Sequence, residues 1–264
     1  MPPNLGVKIP GPMSYPAQGV KLFLTQAREF PPQFNRSKFI KDKSKVLVVT
    51  AHPDDECMFF APTILNLLRQ SCHVYLLCLS SGGFYNESSI RKEELRQSCK
   101  ILGIPAGNLI IIEHSQLPDN PEVKWSRLKV SSIILKYVRH LSATVVISFD
   151  QSGVSGHLNH IAVYDGLESL IFKGLLSEDC EVYLLKSVFL FQKYLGFLIV
   201  PLLYMCVSFS FASTFHDVKT IWKSMKEHKS QFVWFRKLYI VFSQYVYMNT
   251  FIKCQNKTLV QKDM

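Results

Sequence analysis

Lys45-Val46-Leu47-Val48-Val49-Thr50-Ala51-His52-Pro53-Asp54-Asp55-Glu56 is the segment whose reading decides the fold. Its first half is an apolar, β-branched run entered from the charged stretch Lys41 to Lys45, the pattern of a strand buried on both faces. Its second half places one histidine and three carboxylates just past the C-terminal end of that strand, where open α/β sheets keep their active sites. Outward from this segment the pattern alternates: strand 45–51, helix 58–70, strand 73–80, helix 88–102, strand 108–112, helix 124–140, strand 144–149, helix 160–173, then a strand near 181–191. Connections of that length suit right-handed crossovers. The expected fold is therefore α/β, a Rossmann-like, doubly wound and mostly parallel sheet in a single domain. No G-x-G-x-x-G follows the first strand, so a dinucleotide-binding reading has nothing to rest on.

A second cluster follows a second β-branched run, Thr144 to Ser148, and reads Phe149-Asp150-Gln151-Ser152-Gly153-Val154-Ser155-Gly156-His157-Leu158-Asn159-His160. Both clusters are expected at one edge of one sheet. His157 and His160, three apart at a helix start, point roughly the same way. A histidine and a carboxylate from the first loop, with a histidine from the second, make a mixed nitrogen and oxygen site with room for water. That is the donor set of catalytic zinc, because structural zinc sites are closed and usually use cysteine. The competing reading makes Asp54 or Asp55 an ordinary helix N-cap, and it loses weight once the two downstream histidines are joined to the pair.

A-H-P-D-D-E followed by G-H-x-x-H resembles the LmbE-like (PIG-L type) family of zinc-dependent de-N-acetylases. The similar segments are V-T-A-H-P-D-D-E-C-M-F-F-A-P-T, V-Y-L-L-C-L-S-S-G, R-K-E-E-L-R-Q-S-C-K-I-L-G-I-P, S-G-V-S-G-H-L-N-H-I-A and H-K-S-Q-F-V-W-F-R-K-L-Y-I-V-F-S. They fit the branch of the family that acts on a phosphatidylinositol glycolipid in GPI-anchor biosynthesis. The resemblance implies that His52, Asp55 and His160 hold zinc or another divalent metal. It further implies that Asp54 is the general base, that His157 stabilises the tetrahedral oxyanion, that Arg91 binds substrate, and that His228 walls the substrate pocket. A positioned base contributes about 10²–10⁴-fold and an oxyanion donor a similar factor. The implied reaction removes acetate from the N-acetylglucosamine of the glycolipid, at the membrane surface on the cytosolic face of the endoplasmic reticulum. Bacterial members commonly read H-P-D-H where this chain has His157-Leu158-Asn159-His160, and many carry tyrosine where Ser155 stands. The plainer alternatives are that Arg91, Glu94 and Arg96 form a solvated helix face, that His228 is a surface histidine, and that the substrate is a soluble amidosugar.

The match spans about Lys45 to Thr250. It divides the chain into an irregular proline-punctuated segment 1–44, a catalytic domain 45–250 and a tail 251–264. With 264 residues, 48% hydrophobic and 19% charged, the chain can bury a full core in one domain. Its net charge of +10 is shared with nucleic-acid-binding proteins, but no nucleic-acid-binding motif is present, so no such partner is expected. The seven cysteines are odd in number and form no C-x-x-C pair, which reads as reduced thiols. Tyr194 through Phe215 is uncharged for about 22 residues, long enough to span a bilayer. Pro201, the serines and the β-branched content favour a buried or membrane-dipping segment instead. Lys219 to Lys226 and Trp234 to Tyr239 interleave cations with aromatics, as at an anionic membrane surface, where each basic side chain is worth about 1 kcal/mol.

Overall fold

A computed structural model describes residues 39–120, 122–194 and 209–254. Strand β1 (Lys45–Thr50) is central because Val46 to Val49 are all completely buried, so both faces and both edges need partners. It pairs in parallel with β2 (His73–Cys78) on one side and β4 (Val145–Phe149) on the other. Strand β3 (Leu109–Ile111) adds parallel to β2, and β5 (Glu181–Leu185) adds parallel to β4. The order β3-β2-β1-β4-β5-β7-β6 reverses direction of growth between β1 and β4, which makes their C-terminal ends the switch point of the sheet.

Helices α1 (Ala61–Arg69), α2 (Ser88–Leu102), α3 (Arg127–Leu141) and α4 (Leu158–Phe172) are the crossovers. α3 packs on α4, while α2 packs on α1 and on α5 (Phe215–Glu227), so the helices form two groups, one on each face of the sheet. The start of α5 is fixed by a capping box, in which the Thr214 hydroxyl accepts from Asp217 N–H and the Asp217 carboxylate accepts from Thr214 N–H. Helix α6 (Trp234–Phe242) follows.

The last two strands depart from the sequence reading. β6 (Ser210–Ala212) and β7 (Met248–Cys254) run antiparallel, β7 against β5 and β6 against β7, and close the far edge of the sheet. The strand expected near 181–191 stops at Leu185, because Ser187 turns off to bond Asp150 through both its N–H and its hydroxyl. β7 carries the catalytic unit through Cys254, and Phe39 and Ile40, read as part of segment 1–44, belong to the core. The remainder of that segment lies outside the described residues, as does most of the uncharged stretch after Tyr194. Among the described residues, no helix is long and apolar enough to cross a membrane. The six described cysteines are all free thiols.

Candidate active site

The chain leaves β1 through a strained turn. Asp54 adopts φ +113°, a conformation costing about 1–3 kcal/mol for a non-glycine residue. It is held by its own backbone: its N–H donates to Glu56 Oε2 at 3.0 Å and its carbonyl accepts from Met58 N–H at 3.0 Å. A π-helical turn, Glu56–Phe60, then leads into α1. Asp55 stands at the cap position of this turn but does not cap it. Instead Asp55 Oδ2 accepts from the N–H groups of Ala51 and His52 at 2.9 and 2.8 Å, folding back over the end of β1. The N-cap reading of the acidic pair is thereby corrected.

The second loop leaves β4 and approaches from the neighbouring strand. Phe149, the last residue of β4, stacks on the His160 ring with centroids 4.0 Å apart. His160 Nδ1 donates to the Gly153 carbonyl at 3.1 Å. Gly153 has φ +56°, and a Cβ there would meet His160 Cβ at 2.9 Å, so only glycine allows this approach. The opposite nitrogen, His160 Nε2, is buried without a hydrogen-bond partner and lies 3.1 Å from Asp55 Oδ1. His52 stands beside it, with Nε2 3.2 Å from Asp119 Oδ1 and Nδ1 3.8 Å from Asp55 Oδ2. A ring nitrogen from each of His52, His157 and His160 lies within 4.8 Å of the others.

His157 is the N-cap of α4, where its Nδ1 accepts from Asn159 N–H at 3.3 Å. Burial, with His52 and His160 close by, pushes its imidazole down to about 4, so near neutral pH it is uncharged and carries its proton on Nε2. Burial by itself would raise the Asp55 carboxyl, but the facing His160 and then His52 hold it well below the usual carboxylate range. The side chain of Asn159 reaches His52 Nε2 at 2.9 Å. The anionic support that an aspartate at this position would bring is supplied to His52 by Asp119, a residue the sequence reading missed. Asp119 sits in the long loop after β3, where Trp125 Nε1 holds the chain through the Pro118 carbonyl at 2.8 Å.

Arg91 is buried, not part of a solvated face. It donates to Pro53 O at 2.8 Å, to Asp119 Oδ2 at 3.0 Å and to Gly82 O at 3.3 Å, and its Nη2 lies 3.7 Å from Asp54 Oδ2. Gly82, at φ +73°, leaves the space the guanidinium fills, since a Cβ there would lie 2.5 Å from Arg91 Nε. Glu94 is buried as well, accepting from the N–H and hydroxyl of Ser230, so only Arg96 of that helix face is solvated. Asp54 Oδ2 also pairs with Arg236 of α6, a side chain one-fifth exposed. A cavity of about 540 Å³ opens beside the centre between the loops that follow β2 and β3, with Asp119 common to both.

His228 is not a surface histidine. It is completely buried beneath the first loop, with Nε2 2.7 Å from Glu56 Oε1. Glu56, also completely buried, takes a further bond from the Ser98 hydroxyl. Three donors on one carboxylate, including Asp54 N–H, tie the support of the turn to α2 and the end of α5.

Fold and site together define the class, a doubly wound α/β protein with histidines and carboxylates gathered at the switch point of its sheet. A family model described as PIG-L: GlcNAc-PI de-N-acetylase matches residues 47–171. A Bos taurus protein named N-acetylglucosaminyl-phosphatidylinositol de-N-acetylase is 44% identical over 208 residues, 78% of this chain and 82% of its own. A Dictyostelium discoideum relative is 34% identical over 242 residues, 80% of this chain and 93% of its own. The chain belongs to this family of de-N-acetylases. Among solved structures, the N,N'-diacetylchitobiose deacetylase of Pyrococcus horikoshii has the same fold, with a TM-score of 0.61 at 19% identity over 90% of this chain and 93% of that one.

Proposed function

We propose that the protein removes acetate from the N-acetylglucosamine of a phosphatidylinositol glycolipid, using a divalent metal, zinc in our reading, held by His52, Asp55 and His160. The observation that carries the metal reading is the 3.1 Å approach of Asp55 Oδ1 to His160 Nε2. With Nδ1 spent on Gly153, Nε2 meets a carboxylate oxygen at bonding distance, a pairing that needs positive charge between the two, and a divalent ion there would take both atoms as ligands. His52 Nδ1 faces the other oxygen of the same carboxylate, whereas His157 has already committed its unprotonated nitrogen to Asn159 N–H. His157 is thus left with a donor and no free lone pair, which suits an oxyanion and not a metal. A cation at this site supplies Lewis acidity toward the acetyl carbonyl and lowers the pKa of water toward about 7.

The chain's own groups do the rest. Asp54 accepts a proton from the attacking water as the water oxygen bonds to the carbonyl carbon, while His157 Nε2–H donates to the carbonyl oxygen. The carbon–nitrogen bond then breaks, Asp54 returns the proton to the departing nitrogen, and acetate and the free amine leave. The nearby cavity has the size of an ordinary small-molecule site and fits a sugar headgroup.

The substrate's acyl chains, at about 0.8 kcal/mol per buried methylene, keep it in the bilayer, so the enzyme works at a membrane surface, in our reading the cytosolic face of the endoplasmic reticulum. Helix α6 supports this. Trp234, Phe235, Leu238, Val241 and Phe242 on it are all exposed, with Trp234 at 72%. The cations of the region divide: Lys219, Lys226 and Lys237 lie over aromatic rings, while Arg236 turns inward onto Asp54. Acetate release from the glycolipid, measured with and without a chelator, tests the function. Activity should vanish on chelation and return with added divalent metal. Release from a soluble amidosugar but not from the glycolipid would refute the substrate, and indifference to the chelator would refute the metal.

A further inference from the structure

Arg91 and Arg236 both approach Asp54, but they are held differently. Arg91 is locked by Pro53, Gly82 and Asp119 and is almost fully buried. Arg236 hydrogen-bonds, among the described residues, only to the Asp54 carboxylate and the Met58 sulfur, both from one nitrogen, Nη1. Among the described residues no group bonds its Nε and Nη2, and the side chain is one-fifth exposed. It also stands on the helix whose outer face is apolar, two residues after Trp234 and two before Leu238, so a bilayer meeting that face would bring lipid phosphates to its level. An arginine seated on a general base is a contradiction in the resting site. It covers the oxygen that must receive a proton.

We infer that Arg236 reads the phosphodiester of the substrate: a phosphate draws the guanidinium off Asp54, fixing the headgroup and freeing the base in one movement. The inference rests on the reading of the glycolipid as substrate and adds to it the residue that makes the phosphate matter. A planar guanidinium binds two phosphate oxygens at once, which Lys cannot do, and the exchange replaces one charge-assisted pair by another of equal or greater strength. No loop has to close. The phosphate is both a handle and the signal that a correct substrate is present.

The experiment uses the full chain with metal and two substrates in mixed micelles: the N-acetylglucosaminyl phosphatidylinositol, and the N-acetylglucosaminyl inositol glycoside that lacks phosphate. Wild type should prefer the phosphodiester substrate, and Arg236→Gln should lose about 10–100-fold in kcat/KM on it, the worth of a charged hydrogen-bonded contact. On the phosphate-free glycoside the same variant should lose clearly less than on the phosphodiester, so that the preference of wild type for the phosphodiester collapses. Arg236→Lys should fall between them on the phosphodiester. Equal losses on both substrates, or none on either, would overturn the inference. If a variant fails to fold, as judged by its melting curve, wild type alone decides: equal efficiency on the two substrates overturns it. Inorganic phosphate added to the phosphate-free glycoside should leave its rate below that of the phosphodiester, and full recovery would overturn the assignment to the substrate's own phosphate. No acetate from either substrate with wild type would instead strike down the proposed reaction, and this inference with it.

Discussion

Replacing His228 with alanine tests whether the catalytic turn is held from beneath. His228 and Glu56 are both completely buried, and the imidazole is one of three donors on the Glu56 carboxylate. The alanine leaves a buried carboxylate short of a donor and a hole where a ring stood. Removing one member of a buried pair costs about 3–5 kcal/mol. At roughly 2–4 °C per kcal/mol for a domain of this size, the melting midpoint should fall by roughly 6–20 °C. Glu56 also holds Asp54 N–H, so the protein that remains folded should lose kcat as the turn loosens, with KM changed little, since His228 touches only core. Thermal melts and steady-state kinetics on the glycolipid read both quantities. His228→Gln, which can still donate to Glu56, should recover part of the stability. An unchanged midpoint with a raised KM is the behaviour of a pocket-wall histidine, and it would refute the reasoning.

Asp54→Asn should keep metal and substrate binding and lose about 10²–10⁴-fold in turnover, whereas Asp55→Asn should lose metal affinity and regain activity in excess zinc; metal content and kinetics of the two variants decide, and the reversed pattern would exchange their roles. Asp119→Ala, which removes the carboxylate behind His52, should weaken metal affinity by about 10–100-fold in a chelator competition, and an unchanged affinity would deny it that supporting role. Trp234→Ser with Leu238→Ser should reduce co-sedimentation with phosphatidylinositol vesicles while leaving the melting midpoint alone, because both side chains are exposed; unaltered binding would count against α6 as the lipid-facing element. Burial tends to raise the Asp217 carboxyl, but its bonds to Arg69 and Thr214 keep it below the usual carboxylate range, so its contribution is present above about pH 4 and is lost as pH falls below that. Asp217→Asn should therefore be less stable than wild type by about 1 kcal/mol at pH 6, a difference that shrinks at pH 3; a pH-independent gap would point to packing alone.

The central half of the fold was legible because it is written in uninterrupted runs. Val46 to Val49 cannot be anything but a doubly covered strand, and helix 88–102 was read with the bounds the structure shows. The antiparallel edge was not legible. β7 carries buried Asn249 and Thr250 among its apolar residues, and β6 is a three-residue strand inside the uncharged stretch that reads as membrane-seeking. The grouping of His52, Asp54, Asp55, His157 and His160 was legible because all five lie in the segments that follow the buried strands β1 and β4. Asp119 had no such marker: it lies well past a short strand, in a loop without period. The pairing of Arg236 with Asp54 was not legible, because a cation among aromatics looks the same whether it faces lipid or core. The α6 helix that carries it is set against Met58, where Tyr239 donates to the carbonyl at 3.2 Å.

Asp54, Asp55 and Glu56 are neighbours in sequence yet point in three directions, and the backbone explains why. In a regular helical turn successive side chains lie about 100° apart on one cylinder, and none would fold back over the strand that precedes it. Here φ +113° at Asp54 breaks the path before the π-helical turn begins. Asp55 falls back onto the strand end and its histidines, Asp54 faces the arginines at the mouth, and Glu56 drops into the core onto His228. The order of the three is therefore not interchangeable, although their chemistry is the same. It also dictates how the base should be tested. Asn tolerates positive φ better than most residues, whereas Ala at position 54 would add a conformational penalty to the loss of the carboxylate. Asp54→Ala should accordingly be less stable than Asp54→Asn, and only the latter separates the proton-accepting role of Asp54 from the turn that presents it.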